Sequence, residues 1–373
     1  MWIPEREIEM KKAAVASVLL LSAAGLLTGC KKEEVEKAIA PLVADAQDTT
    51  EAEEVQETEE SSVPEIDTSV SIQPGARVAV VSKNTKGEFW DRIKKGMEQA
   101  IADINEAYGY EKDDLITMTF EGSDDEQDVE GQINTLDAVI AENPDVLCLS
   151  ASDMDSCQAQ LEAAKENGIP VVAFDSNVSD TKLVRAFRAT DNERVGEVGA
   201  YRLATAIGKM GKVAVFSAQE KTQSIKQRVE GFTSYIEKYG DIEVVEIIYE
   251  DQVEDMTAAM QEVLEKYPKL DGVFCTNADI SELYLNMKKD ETREVVAMVG
   301  VDATSRQQEA IRKGEEIGVV SQQPYAMGYQ TMLTAVQTTA PKKSVSIEKK
   351  ILTPPAWIDA SNLDDPAYSE YLY

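Results

Sequence analysis

From Arg77 onward the chain alternates short apolar runs with amphipathic stretches, and this alternation constrains the fold more than any other feature. The apolar runs include "RVAVVS" at 77–82, "DVLCLS" at 145–150, "IPVVAF" at 169–174, "KVAVFSA" at 212–218, "GVFCTN" at 272–277 and "GVVSQQ" at 318–323. Runs this short and this apolar read as strands buried on both faces, as in parallel sheets. The stretches between them carry apolar residues at helical spacing. Trp90, Ile93, Met97, Ile101 and Ile104 form one such face, and Val129, Ile133, Leu136 and Ile140 another. Repeated βα order predicts parallel sheets with helices on both faces. There are too many strands for one sheet half, so the expected fold class is α/β, with two similar doubly wound parallel-sheet lobes.

The amino terminus reads as a processing signal. Met10-Lys11-Lys12 precedes an apolar stretch from Ala13 to Leu27, and Leu27-Thr28-Gly29-Cys30 follows. A basic segment before a short apolar one is a signal peptide rather than a spanning helix. The expected start of translation is Met10, with residues 1–29 removed. The Leu-Thr-Gly-Cys run resembles a bacterial lipobox, which implies that Cys30 is lipidated and anchors the mature chain to the membrane outside the cytoplasm. Residues 30–75 are polar and acidic, as in "DTTEAEEVQETEESSVPEIDTS", and predict a disordered tether.

Composition closes several routes to function. The chain has a formal net charge of −32 and no histidine. That charge repels phosphate backbones, so no nucleic-acid partner is expected. The absence of histidine removes Ser-His-Asp and Cys-His catalysis and histidine metal sites. Neither GxGxxG nor GxxxxGK[ST] occurs, so no nucleotide cofactor is expected, and none of any other kind. Cys148, Cys157 and Cys275 lack CxxC spacing, and two of them lie inside apolar runs. They read as buried thiols, with a disulfide among them as the alternative.

The strand ends carry the functional signal. Parallel sheets bind ligands beyond the carboxyl ends of their strands. Here those ends deliver "SKNTKGEFW" with Lys86, Glu88, Phe89 and Trp90, then Asp175-Ser176-Asn177, then Asn277, Asp302, Gln322 and Gln323. Arg228 follows another strand through a loop. One polar strand end is a turn, but several from two lobes form a cleft. Asp175 and Asp302 accept hydrogen bonds, Arg228 donates, and Asn277 and Gln322 do both. Phe89 and Trp90 offer flat apolar surfaces. This set suits a hydroxylated ligand.

Over about residues 77–353 the chain resembles the type I periplasmic sugar-binding proteins of ABC transporters, the ribose-binding group in particular. The resemblance rests on the aromatic pair Phe89-Trp90, on Asp175, on Arg228 in "RVEGF", on Asn277, on Asp302 in "GVD" and on Gln322 in "SQQP". It implies lobes of 76–190 plus 323–346 and 191–322 plus 347–373 joined by a three-segment hinge, in a non-enzymatic monomer that captures a sugar by hinge closure and presents it to a transporter permease. The chain departs from the ribose group in two places: Ser176 stands where that group has arginine, and the first loop is a residue longer, with Lys86 and Glu88 in place of Asn and Pro. Pentose, hexose, polyol and nucleoside ligands stay open, as does a role as the sensing module of a membrane kinase. A transcription regulator of the same fold would need an amino-terminal helix-turn-helix where this chain has a signal and an acidic tether. The Asp175 and Asp302 carboxylates would suit a glycosidase, but no other catalytic set accompanies them.

Overall fold

The computed structural model describes residues 66–287, 296–341 and 345–373. The signal segment, Cys30 and the tether up to residue 65 lie outside the described residues.

The first lobe is built on β1 (Arg77–Ser82), β2 (Thr117–Gly122), β3 (Val146–Leu149), β4 (Val171–Phe174) and β5 (Ala186–Thr190). Helices α1 (Glu88–Tyr108), α2 (Val129–Ala141) and α3 (Gln158–Glu166) alternate with them. The second lobe runs α4 (Asn192–Ala206), β6 (Gly211–Ser217), α5 (Gln223–Ile236), β7 (Ile242–Tyr249), α6 (Met256–Lys266), β8 (Gly272–Cys275), α7 (Ala278–Asn286), β9 (Ala297–Val301), α8 (Ser305–Lys313) and β10 (Gly318–Ser321). Helix α9 (Pro324–Gln337) then returns to pack on α1, β4 and β5, and β11 (Lys350–Thr353) and β12 (Ala356–Asp359) follow.

The two sheets have one topology. Strand order is β11-β5-β4-β3-β1-β2 in the first and β12-β10-β9-β8-β6-β7 in the second. Each is parallel apart from β12, which runs antiparallel to β10. The central strands are apolar on both faces because helices cover both, and β3, β4, β8 and β10 are buried along their whole length. The chain crosses between lobes at Asp191, at Gln322–Gln323 and at residues 354–355.

Two boundaries differ from the sequence reading. Residues 66–75 are packed against the first lobe rather than tethering it: Val70 and Ile72 are buried, and the Tyr108 hydroxyl donates to the Asp67 and Val70 carbonyls at 3.0 and 2.6 Å. Residues 350–353 extend the first sheet through pairing with β5, so the third crossing follows Thr353 and not Ser346. Strands β5, β11 and β12 escape a periodicity reading because Arg188 interrupts "AFRAT" at its centre, and "KILT" and "AWID" each carry a charge at one end and are separated only by Pro354-Pro355, with no helical stretch between them. The Arg188 guanidinium of β5 is buried and donates to Thr334 Oγ1 and to the Phe187 and Glu348 carbonyls at 2.9, 2.9 and 3.0 Å. Those three neutral acceptors are what let a charged residue sit in a central strand. Cys148, Cys157 and Cys275 are buried with no disulfide among them, and burial pushes the Cys157 thiol up to about 11.

Candidate functional site

The carboxyl ends of both sheets face a shared cavity of about 270 Å³, lined by residues of both lobes. Phe89, Trp90, Asp175, Arg228, Asn277, Asp302, Gln322 and Lys86 all line it, together with Glu88.

On the first-lobe side, Asp175 follows β4 in the left-handed region, with φ of 56°. Its N–H still donates to the Arg188 carbonyl at 2.9 Å, so the strand is continued by one hydrogen bond while the side chain is turned into the cleft. Oδ2 accepts from Lys83 Nζ at 2.8 Å, Ser176 Oγ at 3.0 Å and Ser150 Oγ at 3.1 Å. Burial alone would raise this carboxyl, but the Lys83 charge and hydrogen bond, with Arg228 and Ser176, hold it below its ordinary value. Burial would likewise lower the Lys83 ammonium, and Asp175 and Glu126 outweigh it and raise it. Lys83 also lies 5.5 Å from the Trp90 ring centroid. Trp90 is core and site at once: it is 3% exposed, packs on Phe174 at 6.5 Å and donates Nε1–H to Glu126 at 2.7 Å.

On the second-lobe side, the Arg-x-x-Gly-Phe run has a steric reason. A Cβ on Gly231 would fall 2.2 Å from the Glu193 carbonyl, so α5 approaches α4 only because glycine stands there. That approach plants Arg228 Nε on Asn192 Oδ1 at 2.8 Å and Nη1 on the Thr276 carbonyl at 2.8 Å. Asn277 caps α7, its Oδ1 accepting from the Ile280 N–H at 3.1 Å. Asp302 follows β9 at φ of 82°. Its Oδ1 accepts from Gln322 Nε2 at 2.6 Å and the Tyr373 hydroxyl at 2.7 Å, and its Oδ2 from the Ala278 N–H at 2.8 Å.

Of the candidate site residues, Ser176 does not line the cavity and Lys86 lines it only at the rim. Ser176 is fully buried behind it, where it shares a 2.8 Å hydrogen bond with Ser224 Oγ of the other lobe. Lys86 is 68% exposed at the rim and pairs with Asp124. The buried cation is Lys83, three residues earlier. Sequence reasoning missed it, along with Glu126, Asp279 and Glu282 in the wall and Tyr373 behind Asp302. The available signal for Lys83 was its place one residue past a buried strand, the same place Asp175 holds after β4.

The lobes touch across the cleft. Besides the Ser176–Ser224 bond, the Asn177 N–H donates to Gln223 Oε1 at 2.9 Å and the Ser305 N–H to Glu88 Oε2 at 2.7 Å. Among the described residues, no group of three or more His, Cys, Asp or Glu is arranged to hold a metal ion.

The profile of a known sequence family, the periplasmic binding protein domain, matches residues 78–343. The chain belongs to that family. Its fold is that of the type I periplasmic sugar-binding proteins, and it is a binding protein rather than an enzyme. It is 22% identical to the D-allose-binding periplasmic protein of Escherichia coli over 75% of this chain and 90% of that one. It is 23% identical to the ribose import binding protein of Bacillus subtilis over 55% of this chain and 66% of that one. A solved ABC transporter solute-binding protein from Agrobacterium vitis, with bound D-fucose, superposes with a TM-score of 0.72 at 28% identity, covering 80% of this chain and 100% of that one.

Proposed function

We propose that the protein is an extracytoplasmic, lipid-anchored solute-binding protein that captures a sugar-like ligand between its lobes and delivers it to an ABC importer. The observation that carries this reading is the convergence of Asp175, Arg228, Asn277, Asp302 and Gln322 from both lobes, beside Phe89 and Trp90, on one cavity. Paired donors and acceptors suit vicinal hydroxyls, and the aromatic pair suits the apolar C–H face of a sugar ring. A volume of about 270 Å³ falls near the small end of ligand pockets, roughly 300 Å³, which supports a ligand of monosaccharide size. The ligand names carried by the relatives point the same way.

Capture works by hinge closure. The described lobes turn on three crossings, at Asp191, Gln322–Gln323 and 354–355, and the cross-cleft bonds of Ser176, Asn177 and Glu88 belong to the closed arrangement. A ligand that bridges both walls favours closure by its extra contacts there. Cys30 supplies the anchor after removal of residues 1–29, and the acidic segment that follows keeps the lobes clear of the membrane surface.

A thermal-shift screen of the purified protein against monosaccharides, polyols and nucleosides tests the reading. A ligand binding only the folded state stabilises it by about 2.7 kcal/mol at a hundredfold excess over Kd, so a hit raises Tm measurably. Silence across all three classes overturns the solute-binding reading. Mass spectrometry of membrane-extracted protein tests the anchor: the expected first residue is a diacylated Cys30.

A further inference from the structure

The charge of the cavity wall is not balanced. Six carboxylates line it, Glu88, Glu126, Asp175, Asp279, Glu282 and Asp302, against three cations, Lys83, Lys86 and Arg228. The cations are largely committed. Lys83 is paired with Asp175 at 2.8 Å and stands 3.7 Å from Glu126, and Lys86 is paired with Asp124 outside the cavity. Arg228 spends Nε and Nη1 on Asn192 and Thr276.

Among the described residues, Arg228 is thus the one cation that the second lobe gives the cavity lining, and it forms no ion pair with the carboxylates Asp279, Glu282 and Asp302 beside it. Asp302 is held only by neutral donors, and Glu282 accepts from Thr304 Oγ1 at 2.8 Å. Among the described residues, no lysine or arginine forms an ion pair with Asp279, Glu282 or Asp302. Asp279 keeps an exposed surface, yet desolvation by the atoms packed round it and the charges of Glu126, Asp302, Glu250 and Glu282 push its carboxyl up to about 7. A second observation points the same way. Gln322 lines the cavity at 1% exposure, and its Oε1 is a buried acceptor with no partner among the described residues. Around Asp279, Glu282, Asp302 and Gln322 Oε1 the acceptors outnumber the donors, and an ammonium group is donors only.

We infer that the ligand is a monosaccharide-sized polyol bearing a protonated amine, an amino sugar or amino polyol, with its ammonium against Asp279, Glu282 and Asp302 and its hydroxyl and C–H faces toward Asp175, Arg228 and Phe89. An organic ammonium fits better than a metal ion, because the carboxylates are not gathered into a coordinating group. The inference rests on the cleft being the solute site.

Isothermal calorimetry of the purified full chain with matched sugars tests it: D-glucose, D-galactose and D-mannose, each beside its 2-amino and 2-acetamido forms. The expected result is that at least one amine binds about tenfold or more tightly than both neutral partners, the value of one charge-assisted hydrogen bond. Asp279→Asn and Glu282→Gln should each shrink that ratio, with Tm measured on both variants to confirm folding. Neutral sugars binding as tightly as their amines would overturn the inference and leave the solute-binding reading standing. The inference also falls if neither folded variant changes the ratio. Binding of no member of any set would overturn the amino-sugar inference, while the wider screen above decides the solute-binding reading separately.

Discussion

Asp175 and Asp302 are the same position in two copies of one topology. Each follows the fourth strand counted from the edge strand, β2 or β7, each has a left-handed φ, and each N–H continues the strand to the next one over, to Arg188 and to Val320. Their surroundings differ in one residue above all. The strand beside each sheet's edge ends in serine, Ser82 or Ser217, and the next residue is Lys83 in the first lobe and Ala218 in the second. The register supports the match: the Ser150 N–H bonds the Val81 carbonyl as the Thr276 N–H bonds that of Phe216. One carboxylate is thus neutralised inside the protein, and the other is held by an amide, a phenol and a backbone N–H. An internal repeat preserves the backbone that presents a charge, while a single neighbouring position decides whether the charge is spent on the fold or left for a ligand.

The largest test breaks the compensated side. Lys83→Met leaves Asp175 buried without its cation, which should cost about 3–5 kcal/mol in chemical denaturation. The double variant Lys83→Met/Asp175→Asn should recover a large part of that loss. Recovery of nothing would mean that Lys83 acts by packing on Trp90 rather than by charge. The same pair has a pH signature. Asp175 is depressed, so its contribution is full above the ordinary value of 3.8 and is lost as pH falls through the lower folded value. Lys83 is raised, so its contribution is full below 10.5 and is lost only in strong alkali.

On the open side, Asp302→Asn should spare the fold and weaken ligand binding by about 1.5–3 kcal/mol, roughly ten- to a hundredfold in Kd. Unchanged affinity in calorimetry would remove Asp302 from the site. A smaller effect is expected between the two halves. Ser224→Ala removes the bond to Ser176 and should weaken binding by about 0.5–1.5 kcal/mol through loss of a closed-state contact. Small-angle scattering should show a more open average shape in that variant.

The smallest effect is a slope, and its sign opposes that of Asp175. Asp279 keeps an exposed surface but is raised to about 7 by desolvation and by Glu126, Asp302, Glu250 and Glu282 facing it. Between its ordinary 3.8 and about 7 the folded state binds the extra proton. This stability is therefore present in acid and lost as pH rises through about 7. Urea midpoints at pH 5.5 and 8 should differ more for the wild type than for Asp279→Asn. Equal differences would show that the wall carboxylates do not repel one another.

The alternation of strands and helices was legible because burial on one or two faces imposes a period on local sequence. Polar residues at strand ends were legible for the same reason: a run such as 169–174 can end in Asp-Ser-Asn only where the sheet ends. What local period does not carry was missed. Strand β5 contains Arg188, whose acceptors Thr334 and Glu348 lie far along the chain. Lys83 and Lys86 stand in one loop and look alike in sequence, yet one is buried on Asp175 and the other exposed. Tyr373 reaches Asp302 from 71 residues away.

The sequence by itself therefore determined the class of fold, its duplication and about half of the side chains brought to the cleft, since these follow from short-range patterns of burial. Only the tertiary structure decided which charges cancel. Coulomb energy and desolvation depend on distance and burial, and both are set by strand order and lobe contact rather than by neighbours in the chain.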